Sequence, residues 1–191
     1  VQGGAVGIRA NYVSDILDIR SEVDVPIIAI IKAEYPDSEV YITPTKKEAD
    51  DLIDCGAKVI ALDATLRRRP GGITLEELVR YIRSKAPDVE IMADCSDFDE
   101  AANAVRLGFD YVGTTLRGYT SYTKGVQLPD VEFIGRLVES FPDTKIIAEG
   151  GIWERGQLEK VWEKGVYAVV IGSAITRPKD ITKRFAEVIK P

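Results

Sequence analysis

The chain contains no histidine. That absence excludes Ser-His-Asp triads and histidine-built metal centres, and leaves acid–base work to Lys, Asp, Glu, Tyr or Cys. Cysteine is scarce as well. Cys55 and Cys95 are the only two and have no CxxC spacing, so neither a disulfide framework nor structural zinc is expected, and a reducing, cytoplasmic location is. Basic charge is not in excess: the net charge is -6, and the nearest basic cluster, Arg67-Arg68-Arg69, is short. No nucleic-acid or membrane-surface partner is therefore expected. No apolar run reaches membrane-spanning length, and residues 1–20 do not read as a signal peptide. At 191 residues, one well-buried domain over residues 1–191 is the expectation.

What is present is a recurrence of short Val- and Ile-rich runs without period-2 alternation, the pattern of parallel strands buried on both faces. Strands are read at residues 5–9, 26–32, 58–63, 90–94, 111–115, 145–149 and 168–172. Amphipathic helical patterns lie between them at residues 14–23, 46–55, 75–85, 98–107, 130–141, 157–164 and 180–189. Thr74 before Leu75-Glu76-Glu77 reads as a helix cap, and Gly56, Gly108 and Gly165 as helix stops.

Strict βα alternation allows a doubly wound sheet or a closed barrel. The residues at the carboxyl ends of the strands decide between them: Arg9, Lys32, Asp63, Asp94, Thr114 with Thr115, Glu149, and Gly172 with Ser173. In a barrel these polar groups converge on one mouth, where active sites of that fold are built; in an open sheet they would spread along an edge. A (β/α)8 TIM barrel is therefore expected. Val1-Gln2-Gly3-Gly4 reads as the tail of a helix feeding a strand, so the first βα unit is expected to be missing from the chain. A barrel short of one strand would expose two unpaired edges, and the natural protein is expected to be longer.

Lys32 follows the most apolar run, Pro26 to Ile31, and desolvation at a barrel mouth would favour its neutral, basic form. A fixed charge on a phosphate, or a lysine reaching out to solvent, is the alternative. Glu149 stands before Gly150-Gly151 and suits a second acid–base group. Asp94 and Asp63 could orient the lysine, hold sugar hydroxyls, or serve as caps and ion pairs. No short-spaced ligand set demands a metal, and none is expected. Gly150, Gly151, Gly172 and Ser173 occupy the two loops where such barrels often hold phosphate, with Arg177 nearby.

Gly151 to Gly156 has P-loop glycine spacing, but Gln157-Leu158 replaces the required Lys-Ser/Thr, and no GxGxxG follows a strand. The Tyr- and Thr-rich segment from Arg117 to Gly125 reads as a lid, a sugar-contacting loop or a surface excursion.

Several longer stretches fit one family: Gly3-Gly-Ala-Val-Gly-Ile-Arg-Ala-Asn11, Ile30-Ile-Lys-Ala-Glu-Tyr-Pro-Asp-Ser38, Val40-Tyr-Ile-Thr-Pro-Thr45 and Ile60-Ala-Leu-Asp-Ala-Thr65. With them come Met92-Ala-Asp94, Phe109 through Thr120, Ala148-Glu-Gly-Gly151 and Val170 through Pro178. Together they resemble the N-acetylmannosamine-6-phosphate 2-epimerase family over essentially the whole chain.

The resemblance implies cofactor-free epimerisation at C2 of a small phosphorylated amino sugar in sialic acid and amino-sugar breakdown. It implies Lys32 as the C2 base and Glu149 as an essential partner. Arg9 and Asp94 would support the substrate, and Gly150, Gly151, Gly172 and Ser173 would hold the phosphate; from their places at the strand ends and loops, Asp63, Thr115 and Arg177 are expected as further substrate contacts. The family's substrate-contacting glutamine in the first strand has no counterpart here. Pairing through the final helix into a homodimer is also implied. A phosphosugar decarboxylase would need an Asp-x-Lys-x-x-Asp cluster, but Ile30 and Tyr35 stand at the aspartate positions around Lys32. An aldolase-type barrel or a non-catalytic phosphosugar-binding barrel is the remaining alternative.

Overall fold

A computed structural model describes residues 1–189. Seven strands, β1 (Ile8–Asn11), β2 (Ile27–Ile30), β3 (Val59–Asp63), β4 (Glu90–Asp94), β5 (Tyr111–Gly113), β6 (Lys145–Glu149) and β7 (Ala168–Val170), lie side by side in chain order. Every neighbouring pair is parallel. They form a nearly closed barrel in which, among the described residues, β1 and β7 are the two end strands. Helices follow the strands: α1 (Val13–Glu22), α2 (Lys46–Asp54), α3 (Leu75–Lys85), α4 (Phe98–Arg106), α5 (Val131–Ser140), α6 (Arg155–Trp162), then α7 (Ser173–Thr176) and α8 (Pro178–Val188) after β7. Thr45, Thr74 and Asp97 each close a capping box with a glutamate three residues on.

Strand alternation builds two cores. Ile60 and Leu62 of β3, Ile91 and Ala93 of β4, and Ile146 and Ala148 of β6 join Leu52, Leu78, Ile82 and Leu137 of the helices in an outer layer. Val59, Ala61, Met92, Tyr111 and Ile147 point the other way and fill the barrel with Ile30, Ile42 and Leu116. Because successive side chains alternate faces, the next inward positions toward the mouth are Asp63, Asp94 and Glu149. On β1, Ile8 and Ala10 belong to the outer layer, which turns Arg9 and Asn11 inward. The polar strand ends do converge.

Three sequence expectations need correction. Arg9 is the second residue of β1, in register with Ile28, rather than its terminal residue; the strand begins only at Ile8 and runs on to Asn11. Strand β2 stops at Ile30. The chain then turns into an antiparallel excursion over residues 32–43, tied by a Lys32 to Ile42 bridge, Ala33 N to Tyr41 O at 2.9 Å and Thr43 N to Ile31 O at 2.7 Å. Finally, strands β5 and β7 end before Thr115 and Gly172, and the short helix α7 occupies what was read as loop.

Glycine at position 113 makes room inside the barrel. A Cβ there would lie 2.3 Å from Met92 Cε and 3.2 Å from Thr115 Oγ1, and Met92 is fully buried. Gly113→Ala is therefore expected to lower stability by about 1–3 kcal/mol through overpacking. Urea unfolding of the variant beside the unsubstituted chain checks this; equal midpoints would mean that Met92 moves aside freely.

Candidate active site

The centre of the mouth is an ion network. Arg9 Nη2 lies 2.5 Å from Asp94 Oδ2, Arg9 Nη1 lies 3.6 Å from Glu149 Oε2, and Nη1 also meets Met92 Sδ at 3.7 Å. Asp94 is fully buried and only 8% of the Arg9 side chain is exposed. The Thr115 hydroxyl sits 2.6 Å from Asp94 Oδ1 and 3.2 Å from Glu149 Oε2, so it can donate to either carboxylate. Thr114 fixes the backbone beneath: its Oγ1 donates to Glu149 O at 2.9 Å and accepts from Glu149 N at 3.0 Å.

Two carboxylates share one guanidinium here. Burial pushes the Glu149 carboxyl above its ordinary value; the Arg9 charge opposes this, the Asp94 charge adds to it, and the Thr115 hydroxyl and the Lys32 charge oppose it again. Burial works against the Arg9 charge, but Asp94 and Glu149 outweigh it and hold Arg9 protonated.

Lys32 stands beside this network on the excursion. Its backbone N donates to Asn11 Oδ1 at 2.9 Å, and its Nζ lies 5.9 Å from the centre of the Tyr41 ring. The residue is exposed. The dry wall expected from the preceding apolar run is not there, because β2 ends two residues earlier.

Asp63 is also corrected. Its carboxylate is fully buried and already taken, accepting from Thr65 N at 3.1 Å, Thr65 Oγ1 at 2.6 Å and Arg67 Nη2 at 2.9 Å. What it presents at the mouth is Arg67, a residue the sequence suggested only as part of a short basic cluster. Asn11, Arg67 and Tyr41 were missed. The signal for Asn11 was its alternation with Arg9.

The expected phosphate loops lie at adjacent strand ends. Gly150 and Gly151 follow Glu149 directly with φ of 114° and 71°. Gly172 precedes Ser173, the first residue of α7, where the opening amides of a helix lack internal acceptors. Gly151 is held against the β5–α5 connection, since a Cβ would fall 2.2 Å from Leu128 Cβ. Arg177 ends α7, is exposed, and reaches Asp180 at 3.6 Å; it makes no hydrogen bond or ion pair with the Arg9 network.

The segment from Arg117 to Gly125 is anchored rather than free. Thr120 and Thr123 are buried, Arg117 pairs with Asp130 at 2.8 Å, and Tyr122 donates to Glu100. Among the described residues, no three His, Cys, Asp or Glu side chains are grouped to hold a metal ion.

A parallel β/α barrel whose mouth joins one lysine, two carboxylates and a buried guanidinium is a barrel enzyme built for proton transfer. The family model described as "NanE: Putative N-acetylmannosamine-6-phosphate epimerase" matches residues 1–191. Relatives from Staphylococcus aureus strains JH9 and Newman, both named "Putative N-acetylmannosamine-6-phosphate 2-epimerase", are 54% identical over 191 residues, covering 99% of this chain and 85% of theirs. A solved structure of the N-acetylmannosamine-6-phosphate 2-epimerase from Clostridium perfringens superposes with a TM-score of 0.93 at 46% identity, covering 98% of this chain and 81% of that one. A thiamine phosphate pyrophosphorylase from Pyrococcus furiosus, at TM-score 0.63 and 19% identity, shares the fold. The chain belongs to the NanE family of N-acetylmannosamine-6-phosphate epimerases.

The position of Glu149 makes stability depend on pH. The folded chain holds its proton more tightly than the unfolded chain does, so the associated stability is full below the unfolded pKa and is lost as pH rises through the folded one. Glu149→Gln removes that dependence. Its melting temperature should gain on that of the unsubstituted protein as pH rises above the ordinary glutamate value. Calorimetry across that range checks the sign; a constant difference would show that burial does not disfavour the carboxylate.

Proposed function

We propose that the chain interconverts N-acetylmannosamine 6-phosphate and N-acetylglucosamine 6-phosphate by moving a proton at C2, without a cofactor. One observation carries this reading: the Arg9, Asp94, Thr115 and Glu149 network is already assembled beside Lys32 in a chain 54% identical to relatives named for that reaction.

In the ring-opened sugar, the C2 proton lies alpha to the C1 aldehyde. The Lys32 amine takes that proton; the electron pair forms the C1–C2 double bond and charge moves to the C1 oxygen. Arg9, held protonated, donates to that oxygen, and its partners Asp94 and Glu149 keep it aimed. Glu149, which burial inclines toward holding a proton, moves a proton at C1 and the ring oxygen. Reprotonation on the other face of C2 inverts the centre. Asp63 contributes by fixing Arg67. The amides of Gly150, Gly151, Gly172 and Ser173 take the phosphate with Arg177 at the rim.

The test is proton NMR of N-acetylmannosamine 6-phosphate with enzyme in D2O and no added metal. The gluco epimer should form with deuterium at C2, and Lys32→Ala should slow it by about 10²–10⁴-fold. Residual protium at C2 in the first turnover would mean that Lys32 returns the proton it took. Full deuteration fits either a separate acid or a Lys32 amine that exchanges with solvent before it returns a proton, and no epimer from folded protein would sink the assignment.

We place the protein in the cytoplasm and read it as a homodimer. Cys55 and Cys95 are both free thiols, which suits a reducing compartment. None of the described helices is long and apolar enough to cross a membrane. The dimer reading follows the family resemblance, which implies pairing through the final helix, α8. Sedimentation at micromolar concentration should give twice the chain mass; a pure monomer would end the dimer reading.

A further inference from the structure

The excursion over residues 32–43 brings one side chain to the mouth that the mechanism above does not use. Tyr41 runs antiparallel to the Lys32 segment, its carbonyl accepting from Ala33 N at 2.9 Å while the next residue, Ile42, bridges Lys32. Its ring packs on the inner-barrel cluster of Ile30, Ile42, Ala61 and Met92, and its centre lies 5.9 Å from Lys32 Nζ. The ring is half-buried.

The hydroxyl, by contrast, makes no hydrogen bond to any described residue. It is not among the side-chain atoms shut off from solvent, so it is free to meet a ligand at the mouth. Burial, then the charges of Asp63 and Asp94, push this phenol up and keep it a donor; Arg67 acts in the opposite direction, and Tyr119 adds weakly. Arg9 also senses Tyr41. The group is thus an uncommitted, neutral donor with an apolar face, on the same hairpin as the proposed base.

Geometry then selects what it meets. For proton transfer the Lys32 amine must come within about 3–3.5 Å of the reacting group at C2. C2 carries only one substituent that distinguishes this sugar from a plain hexose phosphate, the acetamido group. A ring 5.9 Å from the amine is within reach of a group bonded to the carbon the amine attacks. An acetamido group offers a carbonyl acceptor and a methyl, which match a hydroxyl and a ring face; a hydroxyl substituent would leave the ring face unused.

We propose that Tyr41 reads the acetamido group at C2, its hydroxyl donating to the acetamido carbonyl and its ring packing against the methyl. The assignment rests on the epimerase reading. It makes Tyr41 a specificity-determining contact and leaves proton transfer to Lys32 and Glu149.

Equilibrium binding tests it, each Kd for the acetamido sugar being that of the epimer mixture the enzyme sets up at equilibrium. N-acetylglucosamine 6-phosphate and glucose 6-phosphate share the phosphate and the sugar frame and differ at C2, so calorimetric Kd values for both are measured with the unsubstituted protein, Tyr41→Phe and Tyr41→Leu. Tyr41→Phe should weaken N-acetylglucosamine 6-phosphate about 10-fold, the scale of one neutral hydrogen bond, and leave glucose 6-phosphate unchanged. Tyr41→Leu should weaken the acetamido sugar further. Melting temperature should hold in Tyr41→Phe, because the hydroxyl has no internal partner to lose. Equal weakening of both ligands, or of neither, overturns the assignment. If the unsubstituted protein binds neither sugar phosphate, the epimerase reading falls first and takes this inference with it.

Discussion

The buried guanidinium of Arg9 is the constraint on which the mouth of the barrel depends. It comes from β1 and is met by carboxylates from β4 and β6, across the interior rather than along one edge. None of the three groups could stay charged there alone, since burying an unpaired ion costs several kcal/mol. Breaking such a pair by removing one member typically costs roughly 3–5 kcal/mol. The network therefore fixes more than its own atoms: Thr115 is drawn between the carboxylates, and Thr114 pins the Glu149 backbone on which the glycine loop depends.

An excess of one negative charge in that network is what gives it chemical use. A single arginine facing a single carboxylate would be a neutral, inert pair. With Asp94 taking the short contact at 2.5 Å, Glu149 is left with the weaker one at 3.6 Å, and burial then favours its protonated form. The same asymmetry keeps the guanidinium charged throughout. Donor and proton carrier thus arise from one cluster, whose polarity is set by which carboxylate sits closer.

Much of this was legible in the sequence, and the parts that were not share a cause. Strands β4 and β6 have the bounds read from their apolar runs, because both begin at a charged residue and end at a carboxylate. Asp94 and Glu149 follow directly. Arg9 was placed at a strand end, whereas alternation within β1 brings it inside. The excursion over residues 32–43 turns at Pro36-Asp37, where Tyr35 bridges Ser38, a turn signal that the reading of an unbroken strand to Lys32 left unused, so Lys32 was read as strand and Tyr41 was passed over. For Asp63 the reading left sugar contact and ion pairing both open, because nothing in Asp-Ala-Thr-Leu-Arg signals that Thr65 and Arg67 fold back upon it. Helix α7, four residues long, is too short to show a period.

Division of the site between strand and hairpin suits the two halves of a proton transfer at carbon. Stabilising charge on an oxygen requires donors that do not reorganise as the charge appears, and the donor proposed for it, Arg9, stands on β1 with its side chain buried. The base proposed for the reaction must instead reach the substrate carbon, and Lys32 suits that: its backbone is fixed by Asn11 and by the bridge to Ile42, while its side-chain end is exposed beside the Tyr41 ring. The break in β2 after Ile30 is what separates the two halves. Had the strand continued to Lys32, the lysine would have pointed into the buried network as a second cation and offset its negative excess, leaving burial as the main influence that raises Glu149.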